Sequence, residues 1–385
     1  MIDRLLVCKL TTMGECELDL SPKLNVIIGA NGMGKTHLLK AGYGLSFAKS
    51  ALLNDAEQPD EKARKAISNK LVHLFKPANH KLGRLHRSGE DEDTELIAQF
   101  ADGESLEVSF SGRDTYATVH REKPAATKLG RPVFIPTKEV LSFLDGITAG
   151  HADEDTLALI FDDTYRDIFA MLAKPVEEET SDRVNNDPRF GTIFPDIGNA
   201  IGGQFTIHDG KIRFFSGEYQ DRRVREQKNL GVRRETVFKR SKGDEISGHM
   251  TAEGFRKIGM LQQLLANRSL DPGVSGPLFW DEPEANMNPR LMRLMVQILL
   301  VITRSNQQVV VATHDYILLK WIDLLADSSL GDHVRYHSLY RPDKSDSVTV
   351  NTTDEYTSLS PNAIDETFGE LTDEEISQSM GDLGK

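Results

Sequence analysis

An α/β fold built on a parallel sheet, with an antiparallel β portion at the N-terminus and a mixed α+β insertion in the middle, is predicted by three observations in this 385-residue sequence. The short apolar run Leu24-Asn25-Val26-Ile27-Ile28 ends in a glycine-rich turn followed by a helical segment. Much later, Leu278-Phe279-Trp280 ends in two adjacent acids, and Val309-Val310-Val311-Ala312 ends in Thr313-His314-Asp315. Short continuous apolar runs bounded by turn residues suit strands buried on both faces. In open parallel sheets, ligand sites lie beyond the carboxyl ends of such strands.

The elements follow in order. Residues 2–10 and 15–20 alternate apolar and polar around Met13-Gly14, which predicts a hairpin with one buried face. A helix is expected over 36–53. From 54 to 250 the signal weakens: a helix over 60–75, short strands within 95–120, a buried strand Pro132-Val133-Phe134-Ile135-Pro136, a helix over 153–174, and a hairpin over 202–215 turning at Asp209-Gly210. Order returns with a helix over 251–267, a strand over 277–280, a helix over 289–303 and a strand over 308–312. The expected division is a discontinuous core from 1–53 and 251–350, an insertion over 54–250 that binds a partner, and an acidic tail over 351–385 that is peripheral or mobile.

Composition narrows the class. With 39% hydrophobic and 27% charged residues the chain is of ordinary globular type. The net charge of −13 argues against a surface that is basic all over. No apolar run reaches the ~18 residues needed to cross a bilayer, and Met1-Ile2-Asp3-Arg4 does not open a signal peptide, so no membrane role and a cytoplasmic location are expected. Two cysteines make no disulfide framework, and no Cys/His cluster has zinc spacing. The charge is unevenly spread: 351–385 holds nine acids against one base, whereas 211–242 holds eleven bases against four acids. Arg222, Arg223, Arg225, Arg233 and Arg234 crowd that basic segment, and Phe214, Phe215, Tyr219 and Phe238 interleave with its bases. Such a segment suits nucleic acid by neutralisation and stacking, an acidic protein partner, or a solvated face.

The chemistry lies in the turns. Gly29-Ala30-Asn31-Gly32-Met33-Gly34-Lys35-Thr36 is a complete G-x-x-x-x-G-K-[ST]. Gly29, Gly32 and Gly34 let the backbone wrap phosphates, with Asn31 and Met33 between them, and Lys35 supplies a point charge. Thr36 supplies a hydroxyl for Mg²⁺. Asp281 fits the second metal-holding position, Glu282 a base that polarises the attacking water, and His314 a donor to the γ-phosphate. ATP and Mg²⁺ are the expected ligands.

This ordered set, with the phrase Asp281-Glu282-Pro283-Glu284-Ala285-Asn286, resembles the ATPase heads of the ABC class, and within it the SMC and RecF branch and stand-alone bacterial AAA/ABC-like ATPases of phage-defence operons. The resemblance covers about 1–53 and 251–325. It implies ATP hydrolysis by a head-to-tail dimer, in which ATP on one P-loop is closed by a signature segment of the other subunit. The matching segment is Thr251-Ala252-Glu253-Gly254-Phe255-Arg256-Lys257: Gly254 fits the family's glycine, but Ala252 stands where serine is usual, so Thr251, Arg256 or Lys257 is expected to substitute. Asn286 and Asn288 fall in the family's dimer-contact loop. The family's glutamine loop is not recognisable; Pro136-Thr137-Lys138-Glu139 occupies its place, with Lys138 or Glu139 as stand-in. The R-x-x-x-x-H ribonuclease pattern is absent, and 316–385 is short of the roughly 100 residues of a fused nuclease domain. The resemblance therefore implies a sensor or switch ATPase, a homodimer or higher oligomer, that controls a separate nuclease or toxin in anti-phage defence. The alternatives are a RecF-like or SMC-like ATPase of DNA maintenance, with DNA as partner, and an ATP-closed scaffold with little turnover.

Overall fold

A computed structural model describes residues 1–52, 59–123, 129–148, 153–176, 180–208, 210–225, 232–243, 245–342, 345 and 347–381. The first half runs β1 (Ile2–Cys8), β2 (Glu15–Asp19), β3 (Leu24–Gly29), α1 (Lys35–Phe47), α2 (Glu61–Phe75), β4 (Thr94–Phe100), β5 (Ser105–Phe110), β6 (Thr118–Glu122), β7 (Val133–Ile135), α3 (Leu141–Thr148), α4 (Glu154–Ile160), α5 (Asp163–Leu172), α6 (Thr180–Asn186) and α7 (Ile193–Ile201). The second runs β8 (Gly203–His208), β9 (Lys211–Arg225), β10 (Val232–Arg240), β11 (Ile246–Ser247), α8 (Glu253–Ala266), β12 (Leu278–Asp281), α9 (Pro289–Arg304), β13 (Val309–Ala312), α10 (Tyr316–Leu325), β14 (Val334–Tyr340), β15 (Thr349–Thr353) and α11 (Ala363–Gly381).

Three sheets organise these elements. The central six-stranded sheet has the order β15-β14-β3-β13-β12-β7 and is parallel except at β15. An antiparallel five-stranded sheet, β2-β1-β4-β5-β6, lies on one side, and β8, β9, β10 and β11 form a third. Because strand side chains alternate between faces, the central sheet separates two cores. Ile27, Phe134, Phe279 and Val310 pack with α1 and the antiparallel sheet. Val26, Ile28, Ile135, Trp280 and Val311 pack with α8, α9 and the helices between α3 and α7. Buried Gln308 ties the sheets together: its amide donates to the Ile2 and Ser21 carbonyls and accepts from the Ile2 N–H.

The expected hairpin, β3, α2, β7, β8–β9, α8, β12, α9 and β13 are all present. Several boundaries differ. The helix expected over 36–53 ends at Phe47 and gives way to a wider turn, Ala48–Leu52, and residue 53 lies outside the described residues. The helix expected over 153–174 is two, because the Asp162 carboxylate accepts the Thr164 N–H and starts α5 afresh. Asp209, in the expected turn of the 202–215 hairpin, is not among the described residues. The range expected as one insertion, 54–250, is not set apart from the core. Its β4, β5 and β6 extend the antiparallel sheet, and its β7 forms an edge of the central sheet beside β12. Alternating burial along β4 and β5 gives them one core-facing side to add to β1. Nor is the acidic tail wholly peripheral: β15 pairs with β14, and Asp354 pairs with Arg335 at 2.6 Å. Beyond Asp365 helix α11 is exposed, touching the body through Phe368 stacked on Tyr316, and 382–385 lie outside the described residues.

The third sheet is docked by a close approach at Gly259 of α8, where the Phe205 ring of β8 occupies the space of a side chain. Replacing Gly259 by alanine improves helix propensity by about 1 kcal/mol but overpacks the contact at about 1–3 kcal/mol or more. Net destabilisation, read as a lower urea midpoint, is the expected result.

Candidate nucleotide site

The site begins where β3, fully buried, runs into α1. Gly29, Gly32 and Gly34 hold φ of +148°, +80° and +91°, a region that side chains disfavour. Ala30, Asn31 and Gly32 form the exposed tip of the loop, with Met33 part-buried behind it. Helix α1 starts without a side-chain cap, so its first-turn N–H groups remain available to an anion. Lys35 is buried, and its ammonium folds back to donate to the carbonyls of Gly29 at 2.6 Å and Ala30 at 3.3 Å. Burial lowers its proton affinity, and Glu282, Asp281 and Glu284 oppose that effect.

Strands β12 and β13 bring the acids and the histidine to the same end of the sheet. Asp281 is paired in register with Ala312, and β13 lies beside β3. The Thr36 hydroxyl donates to Asp281 Oδ2 at 2.9 Å, and the Thr137 hydroxyl donates to the same oxygen at 3.1 Å. Asp281 Oδ1 is buried and has no hydrogen-bond partner among the described residues. Burial pushes this carboxyl up, with Glu282 adding to the shift and the two hydroxyls working against it. A hard cation beside the carboxylate would favour its ionised form, and hydroxyl and carboxylate oxygens are the donors that Mg²⁺ takes. The residues present therefore fit that ion, with Thr36 and Asp281 as its holders.

Glu282 sits one step further, at φ +48°, an uncommon conformation for a residue with a side chain. Its Oε1 lies 3.2 Å from His314 Nδ1. Glu284 is buried and braces the histidine turn, accepting from the Thr313 hydroxyl at 2.7 Å and the His314 N–H at 3.2 Å. Burial raises its pKa. The amino-acid sequence by itself assigns Glu284 no task; its position two residues after Glu282 is the available signal.

The loop after β7 corrects one expectation. Neither Lys138 nor Glu139 reaches Asp281: Lys138 is exposed and Glu139 is paired with Arg256 at 2.9 Å. Thr137 is the residue of this loop that touches the Asp281 carboxylate. Removing its hydroxyl in Thr137→Val forfeits a hydrogen bond to a charged group, worth about 1.5 kcal/mol or roughly tenfold. The expected result is a tenfold higher Mg²⁺ requirement for ATP binding, read by titrating Mg²⁺ against a fluorescent nucleotide.

The expected signature residues lie at the start of α8, where Ala252 takes the cap position without a side-chain bond. Gly254 faces the backbone of the 286–287 turn, and Asn286 donates to the Glu253 carboxylate at 2.7 Å. Asn288 caps α9 by accepting the Arg290 N–H. None of the three expected substitutes for the missing serine points outward. The Thr251 hydroxyl donates to the Gly248 carbonyl, and the Arg256 guanidinium holds Glu139 and the Thr251 carbonyl. Lys257 is 1% exposed, and its ammonium donates to the carbonyls of Glu282 at 2.6 Å, Thr137 at 2.9 Å and Ala285 at 3.4 Å. Burial pulls its pKa down to about 8, against the pull of Glu284, Glu282, Asp281 and Glu253.

The basic segment forms the long antiparallel pair β9–β10. Arg222, Arg223 and Arg234 are exposed, and Arg223 stands directly opposite Arg234. The side chains of Arg225 and Arg233, and residues 226–231 between the strands, lie outside the described residues. The interleaved aromatics do not form a stacking surface. Phe214 and Tyr219 are both buried, because the burial phase of β9 reverses between the stretch paired with β8 and the stretch paired with β10; Phe238 packs against Tyr219, and Arg240 covers Phe215.

The family profile described as "AAA domain, putative AbiEii toxin, Type IV TA system" matches residues 238–320. The DNA replication and repair protein RecF of Phocaeicola vulgatus is 49% identical over 51 residues, 13% of this chain and 14% of that protein. RecF of Haemophilus influenzae (strain Rd) is 47% identical over 64 residues, 16% of this chain and 18% of its own length. The matched segments thus span less than a fifth of these relatives. Among solved structures, an SMC head bound to the C-winged helix domain of ScpA superposes with a TM-score of 0.53 at 12% identity, covering 92% of this chain and 98% of that one. The fold is that of the SMC head domain with which the chain superposes.

Proposed function

We propose that this chain, folded as an SMC/RecF-like ABC-type ATPase head, binds ATP with Mg²⁺, dimerises head-to-tail on it, hydrolyses it, and serves as the switch subunit for a separate effector in bacterial anti-phage defence. One observation carries the ATPase reading: Thr36, Thr137 and the unpartnered oxygen of buried Asp281 meet beside Lys35, with Glu282 and His314 at the same end of the sheet. Lys35 exchanges its loop carbonyls for phosphate oxygens, and the first turn of α1 receives the phosphates. Bound Mg²⁺ supplies neutralisation of phosphate charge. Glu282 takes the attacking water's proton, while His314 orients that carboxylate and donates to the γ-phosphate. Support for the defence role comes from the profile over 238–320, whose description names a toxin–antitoxin system. Phage challenge of cells carrying the gene with its neighbouring frames tests it. Lys35→Ala is expected to abolish protection, and plating equal to wild type overturns the role.

A second reading, DNA maintenance, is favoured by the local RecF identity and by exposed Arg222, Arg223 and Arg234. It predicts that replacing these three by alanine weakens duplex binding and flattens the salt dependence by about 0.9 for each phosphate no longer neutralised. Unchanged binding and slope in the triple variant remove the hairpin as a DNA-binding surface.

A further inference from the structure

Helix α8 carries the expected signature at its first turn, and the base Glu282 lies in the turn after β12. Lys257 joins them. Lys257 reaches from the buried side of α8 to three backbone carbonyls, two in the Glu282–Ala285 turn and one at Thr137. We propose that Lys257 is a positioning residue that locks the signature helix to the turn carrying Glu282, so that closure of the signature on a partner subunit's nucleotide sets the base of its own subunit. This inference rests on the ATPase reading above.

Three features separate this role from ordinary packing. Helix α8 is already held by Ile258, Leu261, Leu264 and Leu265, all fully buried, so the helix needs no cation for attachment. An ammonium 1% exposed costs desolvation that an apolar side chain would avoid, and its bonds go to backbone carbonyls of two loops, the shortest at Glu282. Glu282 holds a φ of +48°, which persists only if neighbouring groups fix it. Two further ties from the same helix turn reach the same loops: Glu253 to Asn286 and Arg256 to Glu139. The first turn of α8, the loop after β7 and the turn after β12 therefore move as one body. Thr137, which touches Asp281 through its hydroxyl, receives the lysine on its carbonyl, so the metal-holding carboxylate belongs to the same unit.

Lys257→Met keeps the stem and removes the ammonium. The expected result is ATP affinity within threefold of wild type and a single-turnover hydrolysis rate about a hundredfold lower, the scale of a misplaced catalytic group. Lys257→Arg, which retains donors, is expected to recover at least a tenth of the rate. A Lys257→Met rate within threefold of wild type overturns the proposal, as does a parallel fall in affinity, rate and thermal midpoint, which marks a structural part. Hydrogen exchange on the unmodified chain gives a reading that needs no variant. A non-hydrolysable ATP analogue is expected to protect 253–257 and 282–287 together, and protection of one segment without the other overturns the coupling. If wild-type protein shows no Glu282-dependent hydrolysis, the ATPase reading falls instead, and joint or separate protection still reports on the lysine.

Discussion

Glu282→Gln is expected to bind ATP as tightly as wild type, to lose turnover by about 10²–10⁴-fold, and to accumulate as an ATP-bound dimer. A positioned general base contributes about that much, or roughly 3–5 kcal/mol of barrier. Glutamine matches the shape of glutamate, so it occupies the φ +48° position and the space beside His314 at little cost. It cannot accept a proton from water. In the proposed reading the ground-state contacts to phosphate and metal come from Lys35, Thr36 and Asp281, and the substitution leaves these side chains in place. The closed state forms and then persists, because the step that opens it is slow. Phosphate release measures the first effect and light scattering on a sizing column the second. Retained turnover removes Glu282 as the base, and a monomer in saturating ATP removes the head-to-tail dimer.

The parts of this molecule legible in the sequence are those whose signal is contiguous. The P-loop pattern, β3, β12 and β13 each occupy one short stretch, and every residue of the three strands is buried, so continuous apolarity marks them. Strand β14 escapes that signal because His337 and Ser338 lie in its buried stretch. His337 is kept neutral by burial, its pKa pulled down to about 3, and it is bonded to Thr352 across the sheet. Helix α7 contains Pro195 and Gly198, which read as loop residues, yet Gly198 is required where the Tyr219 ring lies against the helix. In the site the missing knowledge is long-range. Thr137 and Asp281 are 144 positions apart, and no local pattern pairs them. Lys257 reads in sequence as one more basic residue near the glycine of the expected signature. Only its place on the buried side of α8 shows that it serves the backbone. The basic segment is legible as charge but not as structure, since burial in β9 falls on Ile212 and Phe214 and then, with the phase reversed, on Gly217 and Tyr219, a shift that no simple alternation predicts.

Lys35→Ala is expected to remove ATP binding while leaving the fold intact, the opposite failure from that of Glu282→Gln. The lysine's present acceptors, the Gly29 and Ala30 carbonyls, belong to the loop itself, and loop conformation is set by Gly29, Gly32 and Gly34. Losing the ammonium therefore costs the folded state two hydrogen bonds but also relieves a buried charge, and the thermal midpoint without nucleotide should move little. With nucleotide the balance differs. A bond from an ammonium to ionised phosphate is worth about 3 kcal/mol or more, so affinity should fall by a hundredfold or more. A ligand that binds only the native state raises its stability by mass action, about 2.7 kcal/mol at a hundred times Kd. Wild-type protein should show that rise in midpoint when ATP and Mg²⁺ are added, and Lys35→Ala should show none at the same concentration. Because Glu282→Gln keeps the rise and gains the dimer, the two variants separate phosphate capture from water activation within one site. A thermal shift retained in Lys35→Ala would place the nucleotide away from the P-loop.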